Sequence, residues 1–213
     1  MTVGAKVCGL STVETVDAAL AGGAAFIGFV FFRASPRDID PAAAAHLAKR
    51  ARGKARIVAV TVNPDDALLD RLADTLRPDL IQLHGAETPV RAFEVSKRAR
   101  AGVIKALAVS SPEDVDRAAD FEGVAEHLMF DARPPPDVDR PGGVGASFDA
   151  SMLGGRRFQR PWFIAGGLDP WNVTEAIRLS GAPLVDVSSG VERGAGLKDA
   201  TLIATFLEAV RRA

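Results

Sequence analysis

The 213-residue sequence contains one cysteine, Cys8, so no disulfide can form within the chain, and its composition fits a reducing compartment. Three histidines, His46, His84 and His127, lack the paired spacing of a metal site, and one thiol cannot complete a zinc set, so no metal is expected. No apolar run is long enough to span a bilayer, and the N-terminus lacks the basic start and apolar stretch of a secretion signal. Charge of neither sign dominates. The net is −1 with no basic block and no acidic tail, which gives no reason to expect nucleic acid or an anionic membrane as partner. What remains is a soluble, cytoplasmic protein, 47% hydrophobic and able to bury one sizeable core. No composition shift divides it, so a single domain over 1–213 is expected. No long apolar helix face calls for a partner, and a monomer is expected.

Short β-branched or apolar runs alternate with Ala-rich amphipathic segments along the chain. Strands are expected at 5–8, 26–31, 57–62, 80–83, 103–106, 127–130, 162–165 and 184–187. Helices are expected at 13–20, 42–50, 66–76, 90–98, 113–118, 172–179 and 200–211. Asp40-Pro41, Asn63-Pro64 and Ser111-Pro112 each read as an N-cap followed by a first-turn proline. Strand–helix alternation implies parallel pairing with both sheet faces covered. Such units form either an open doubly wound sheet or a closed barrel. An open dinucleotide-binding sheet puts its glycine-rich turn after the first strand, whereas here these turns follow strands six, seven and eight. That favours an α/β (β/α)₈ barrel with a phosphate site late in the chain. The sixth connection is irregular: 132–146 is rich in proline and glycine, and 149–153 offers only a short helix. The run Arg133-Pro134-Pro135-Pro136 reads as a long loop at a working face.

Three turns carry the phosphate reading: Gly142-Gly143-Val144-Gly145, Ala165-Gly166-Gly167-Leu168 and Ser188-Ser189-Gly190-Val191. Glycine lets backbone N–H groups approach an anion closely, and a helix N-terminus adds favourable partial charge. One such turn alone is explained by tight turns between strands and helices. Three beyond adjacent strands point to a monophosphate ligand.

Cys8 closes the first strand and Asp131 the sixth, so across a barrel they could face each other over a small ligand as general base and general acid. The plainer readings are a small buried thiol and a turn aspartate. Lys6 shares the strand face of Cys8, where its ammonium favours the thiolate, or else pairs with an acid such as Asp186 on the neighbouring eighth strand. Arg37, in Ser35-Pro36-Arg37, could grip a carboxylate through both arms of its fork, or be a solvated loop residue. His84 ends the fourth strand and either lines the mouth or is a hydrogen-bonded structural histidine. Lys105, near the end of strand five, is the rival nucleophile, as a buried lysine that could form a Schiff base in an aldolase or lyase.

These stretches resemble one family, the phosphoribosylanthranilate isomerases. The resemblance runs through Lys6-Val7-Cys8-Gly9, Gly28-Phe29-Val30-Phe31, Ser35-Pro36-Arg37, Gln82-Leu83-His84-Gly85, Asp131 and Gly142–145 with Phe148-Asp149. It continues through Ala165-Gly166-Gly167-Leu168 with Pro170, Asn172 and Val173, and through Asp186-Val187-Ser188-Ser189-Gly190-Val191-Glu192 into Gly196, Lys198 and Asp199. It spans essentially the whole chain in order. It implies a barrel fold and an Amadori rearrangement of N-(5-phosphoribosyl)anthranilate in tryptophan biosynthesis, without cofactor or metal. It further implies Asp131 as the acid that opens the furanose ring, Cys8 as the base at C2 and Arg37 on the anthranilate carboxylate. The phosphate falls to the turns holding Gly143, Val144, Gly145, Gly166, Gly167, Ser188, Ser189 and Gly190. The chain departs from the family at Val144, where a small hydroxyl residue is usual. With backbone amides doing the binding, that removes one side-chain contact at most. Indoleglycerol-phosphate synthase, a cousin in ligand type, carries extra sequence before strand one, whereas this chain reaches Lys6-Val7-Cys8 at once. A non-catalytic phosphate-sensing barrel would keep the glycine turns but has no need of an acid–base pair.

Overall fold

The computed structural model describes residues 2–133 and 149–213. Eight parallel strands close on themselves: β1 (Gly4–Cys8), β2 (Phe26–Phe31), β3 (Arg56–Thr61), β4 (Leu80–Leu83), β5 (Gly102–Val109), β6 (His127–Ala132), β7 (Trp162–Ile164) and β8 (Leu184–Val187). Each pairs with the next, and β8 pairs back with β1 in the register Lys6 to Asp186 and Val7 to Val187. The helices are α1 (Val13–Ala21), α2 (Pro41–Ala51), α3 (Asp66–Thr75), α4 (Pro89–Ala99), α5 (Pro112–Asp116), α6 (Val173–Ser180) and α7 (Ala200–Arg212). A two-stranded ribbon, β9 (Glu192–Gly194) with β10 (Leu197–Lys198), sits between β8 and α7. The expected barrel is present, and no helix among the described residues is long and apolar enough to cross a membrane.

The strands read as unbroken apolar runs because each has two buried faces. Val7, Ile27, Phe29, Ile57, Ile81, Leu83, Val103, Phe130 and Val185 point outward and pack with helix residues such as Val16, Leu47, Leu72, Val95 and Phe206. The alternate positions, including Cys8, Phe26, Val30, Val58, Leu80, Ile104, Met129 and Phe163, fill the barrel. Phe26 and Phe163 meet edge-on at 5.1 Å between centroids, with His127 5.7 Å from Phe26, in the favoured geometry for aromatic pairs. The interior is therefore packed.

Helix starts follow their caps. Asp40 accepts from the Ala42 and Ala43 N–H groups with Pro41 in the first turn, and Asp114 turns back to accept from the Ser111 N–H. Asn63-Pro64 departs from expectation, since α3 is capped by Asp65, which accepts from Leu68 N–H at 2.7 Å. Asn63 adopts a left-handed conformation (φ 44°), donates its N–H to Glu87 and accepts from the Ala86 N–H. It is held by the loop after β4 and is unavailable to α3. The helix expected at 113–118 ends at Asp116 and continues as a 3₁₀ turn, Arg117–Asp120, while 149–153 contains the 3₁₀ turn Ala150–Leu153.

Lys105 corrects another expectation. Period-two alternation turns it away from the barrel interior, since its neighbours Ile104 and Ala106 face inward. Its ammonium donates to Glu87 Oε2 at 2.7 Å and to the Gly85 carbonyl at 2.7 Å, with the Phe121 ring 5.6 Å away. Burial pulls the Lys105 ammonium below its ordinary range against the opposing pull of Glu87. Removing one member of such a pair strands the other, so Glu87→Ala should cost roughly 3–5 kcal/mol of stability in urea unfolding. An unchanged midpoint would mean that the pair contributes nothing.

Candidate active site

A cavity of about 740 Å³, open solvent at its mouth included, lies over the C-terminal ends of the strands. That is the end at which barrels build their catalytic loops. Its wall includes Cys8 from β1, Gln82 and His84 from β4 and its end, Asp131 from β6, Gly166 and Gly167 after β7, and Asp186, Ser188 and Ser189 from β8 and the turn beyond it. Arg37 also reaches it. Cys8 and Asp131, on strands set well apart around the barrel, thus face one space.

Cys8 is the only thiol and is 6% exposed. Burial pushes its thiol above the ordinary range, which outweighs the downward pull of the Lys6 and Lys198 ammonium groups, while Asp186 adds to the rise. Lys6 does both things considered for it. It forms an ion pair with Asp186 at 2.8 Å, fully buried, and its charge still draws the thiol down. Burial would lower the Lys6 ammonium, but Asp186 and Cys8 more than offset this and hold it up. Gly28, beside Cys8 in the sheet register, leaves room for this crowding: a Cβ there would lie 3.1 Å from Cys8 Cα and 3.2 Å from both Cys8 Sγ and Lys6 Cε.

Asp131 is buried, with its Oδ2 2.9 Å from His84 Nε2. His84 is therefore hydrogen-bonded and on the wall at once. Gln82 stands two residues earlier on the same face, with its Nε2 2.8 Å from His84 Nδ1. That period-two relation was the available signal for Gln82, which sequence reasoning left without a role.

The turns after β7 and β8 pack against each other. Gly166 and Gly167 both have positive φ, 86° and 63°. A Cβ on Gly190 would meet the Leu168 carbonyl oxygen at 1.9 Å, so only glycine lets the two turns approach. Asn172 fastens the first turn, donating to the Gly167 carbonyl and accepting from the Asp169 N–H. The candidates Gly143, Val144 and Gly145 lie outside the described residues.

Arg37 is 7% exposed and forks onto Glu192, Nε to Oε1 at 2.7 Å and Nη2 to Oε2 at 2.8 Å. The β9–β10 register brings Lys198 beside Glu192, where the two form an ion pair. Lys198 also donates to the Ser188 carbonyl at 3.0 Å. Burial pushes the Glu192 carboxyl up, but Arg37 and Lys198 override it and hold it below the ordinary range. Burial also holds the Lys198 ammonium below its usual range against the pull of Glu192. Glu192 and Lys198 were visible in the sequence only as parts of a matching stretch, because their pairing depends on a ribbon that no periodicity announces.

A closed parallel barrel with a thiol, a carboxyl group and paired glycine turns around one cavity defines a (β/α)₈-barrel enzyme for a small anionic ligand. The pattern of the family described as N-(5'phosphoribosyl)anthranilate (PRA) isomerase matches residues 5–209. The chain is 65% identical over 211 residues to the N-(5'-phosphoribosyl)anthranilate isomerase of Caulobacter vibrioides, covering 99% of this chain and 96% of that one. The phosphoribosyl anthranilate isomerase structure from Thermotoga maritima superposes with a TM-score of 0.87 at 31% identity, over 99% of this chain and 100% of that one. A further phosphoribosyl anthranilate isomerase, in complex with reduced 1-(o-carboxyphenylamino)-1-deoxyribulose 5-phosphate, gives 0.83 at 28% identity, over 99% and 100%. The chain belongs to the N-(5'-phosphoribosyl)anthranilate isomerase family, the isomerases of this step in tryptophan biosynthesis.

The thiol assignment has a direct readout, because the sequence has one cysteine and no tyrosine, leaving thiolate ultraviolet absorbance unobscured by tyrosinate. That absorbance should appear only as pH rises above the ordinary thiol range, and kcat/KM should climb along the same limb if the thiolate is the base. Lys6→Met should displace the rise to still higher pH. Full ionisation at neutral pH would contradict the dominance of burial.

Proposed function

We propose that Cys8 and Asp131 carry out the Amadori rearrangement of N-(5-phosphoribosyl)anthranilate to 1-(2-carboxyphenylamino)-1-deoxyribulose 5-phosphate. The observation that supports this reading is their shared cavity, which has the Gly166–Gly167 and Ser188–Ser189 turns and Arg37 on its wall. The protonated Asp131 carboxyl delivers its proton to the furanose ring oxygen. The C1–O bond breaks as the anilino nitrogen lone pair forms the C1=N bond, opening the ring to an iminium. The Cys8 thiolate then takes the C2 proton, whose bonding pair forms C1=C2 and returns the C1=N electrons to nitrogen. The resulting enol gains a proton at C1 and loses one from its hydroxyl, giving the ketone. Neither oxidant nor added group is needed, so atoms balance within one substrate.

Phosphate binding is assigned to the backbone at Gly166, Gly167, Ser188, Ser189 and Gly190, with Gly143, Val144 and Gly145 in the same role. Lys6 supports the Cys8 thiolate, Asp186 supports it through its hold on Lys6, and His84 supports Asp131. Arg37 is assigned to the anthranilate carboxylate, with Glu192 fixing the plane of its fork in advance, the preorganisation that makes a bidentate contact specific. The substrate is the small sugar phosphate, and the chain acts as a monomer in the cytoplasm, with one domain carrying the site.

The test is the fluorescence decay of freshly generated phosphoribosylanthranilate on adding the protein. Cys8→Ala and Asp131→Asn should each lower kcat by about 10²–10⁴, the usual size of a general acid–base contribution. Lys105→Met should spare most turnover in the folded protein, because that side chain lies outside the barrel interior. Full activity in Cys8→Ala rejects the base assignment. Binding of a product analogue without any conversion would favour a phosphate-sensing barrel instead. Glu192→Gln should raise KM more than it lowers kcat, since it loosens Arg37 without touching the acid or base.

A further inference from the structure

One buried polar side chain on the cavity wall has no part in the scheme above. Gln82 is 1% exposed, and its Oε1 has no hydrogen-bond partner among the described residues, although buried side-chain oxygens are normally satisfied. Its Nε2 makes two contacts, 2.8 Å to His84 Nδ1 and 3.4 Å to Met129 Sδ. The sulfur is an acceptor only, and a weak one. A rotated amide would set Oε1 against the sulfur lone pairs and leave an NH₂ group with no acceptor, which is rarer in proteins than an unsatisfied carbonyl. The amide is therefore held with its donor toward His84.

A donor facing Nδ1 requires that nitrogen to be unprotonated. A neutral imidazole then carries its hydrogen on Nε2, which lies 2.9 Å from Asp131 Oδ2. We propose that Gln82 is a positioning residue that selects the Nε2–H tautomer of His84 and thereby commits Asp131 Oδ2 to accepting a hydrogen bond, leaving Oδ1 to carry the acid proton. Oδ1 is the oxygen beside Gly166, only 2.9 Å from where a Cβ on that residue would stand. Met129 fixes the amide, the amide fixes the ring, and the ring fixes which carboxyl oxygen delivers the proton. The unpartnered Oε1 is the cost of this orientation, and it has a consequence. If His84 became an imidazolium, the amide would have to turn so that Oε1 accepted from Nδ1–H.

The inference rests on Asp131 being the acid, and its first test does not need activity. Nitrogen-15 spectra of the histidine rings report the tautomer directly, and with three histidines in the chain a His84→Gln variant assigns the signals. The wild-type protein should show His84 as the Nε2–H form. Gln82→Met, which removes the donor, should mix the tautomers. Gln82→Glu should move the proton to Nδ1. Both variants should lose about tenfold in kcat, the rate equivalent of one net hydrogen bond, with KM changed less than about twofold and the acid limb of the pH profile displaced. An Nδ1–H tautomer in the wild-type protein overturns the proposal even if neither variant folds, as do folded variants with wild-type kcat and pH profile. Full turnover by Asp131→Asn would instead remove the acid assignment, with the tautomer measurement still standing on its own.

Discussion

The barrel is sealed by a charge pair. Lys6 on β1 and Asp186 on β8 are register partners across the seam between first and last strands, 2.8 Å apart, with the lysine fully buried. Taking an ammonium out of water costs several kcal/mol, and only close geometry with a counter-charge offsets it. The pair can exist only if β1 and β8 are adjacent, so barrel closure and charge neutralisation are one event. The same pair lies directly below Cys8 on the inner face of β1, which makes the electrostatics of the thiol a property of the seam.

That placement produces a balance of opposing effects at the sulfur. Burial disfavours the thiolate, Asp186 disfavours it further, and Lys6 and Lys198 favour it. Burial dominates, so the group is held as a thiol until pH rises above the ordinary thiol range. An apolar, close-packed surround around a reactive group is typical of sites that tune protonation by environment. The second cation belongs to a different network, in which Glu192 joins Lys198 to Arg37. The β9–β10 ribbon thereby links the turn after β8, through the Ser188 carbonyl, to the loop after β2. The two walls that flank β1 are fastened to each other through one carboxylate.

Alternation along the strands sorts the charged residues into separate jobs. Lys6 and Lys105 look alike in sequence, each a lysine within an apolar strand. Lys6 points inward at the seam, while Lys105 points outward and is consumed by Glu87 and the Gly85 carbonyl. Their chemistry differs because a shift of one residue along a strand moves a side chain from cavity to helix layer. Lys105 instead pins the loop that follows His84.

The sequence determined the alternation of strands and helices, the parallel barrel, and the presence of a thiol and a carboxyl group at strand ends. These follow from local patterns: period two or 3.6 in apolar residues, prolines after capping side chains, and glycines after late strands. It did not determine the cap of α3, because Asn63 answers to Glu87, a residue 24 positions away. Nor did it assign Glu192 to Arg37 or His84 to Asp131. Those contacts depend on distance in space after closure, where a side chain's partner is set by which strands become neighbours, and spacing along one chain carries no record of that.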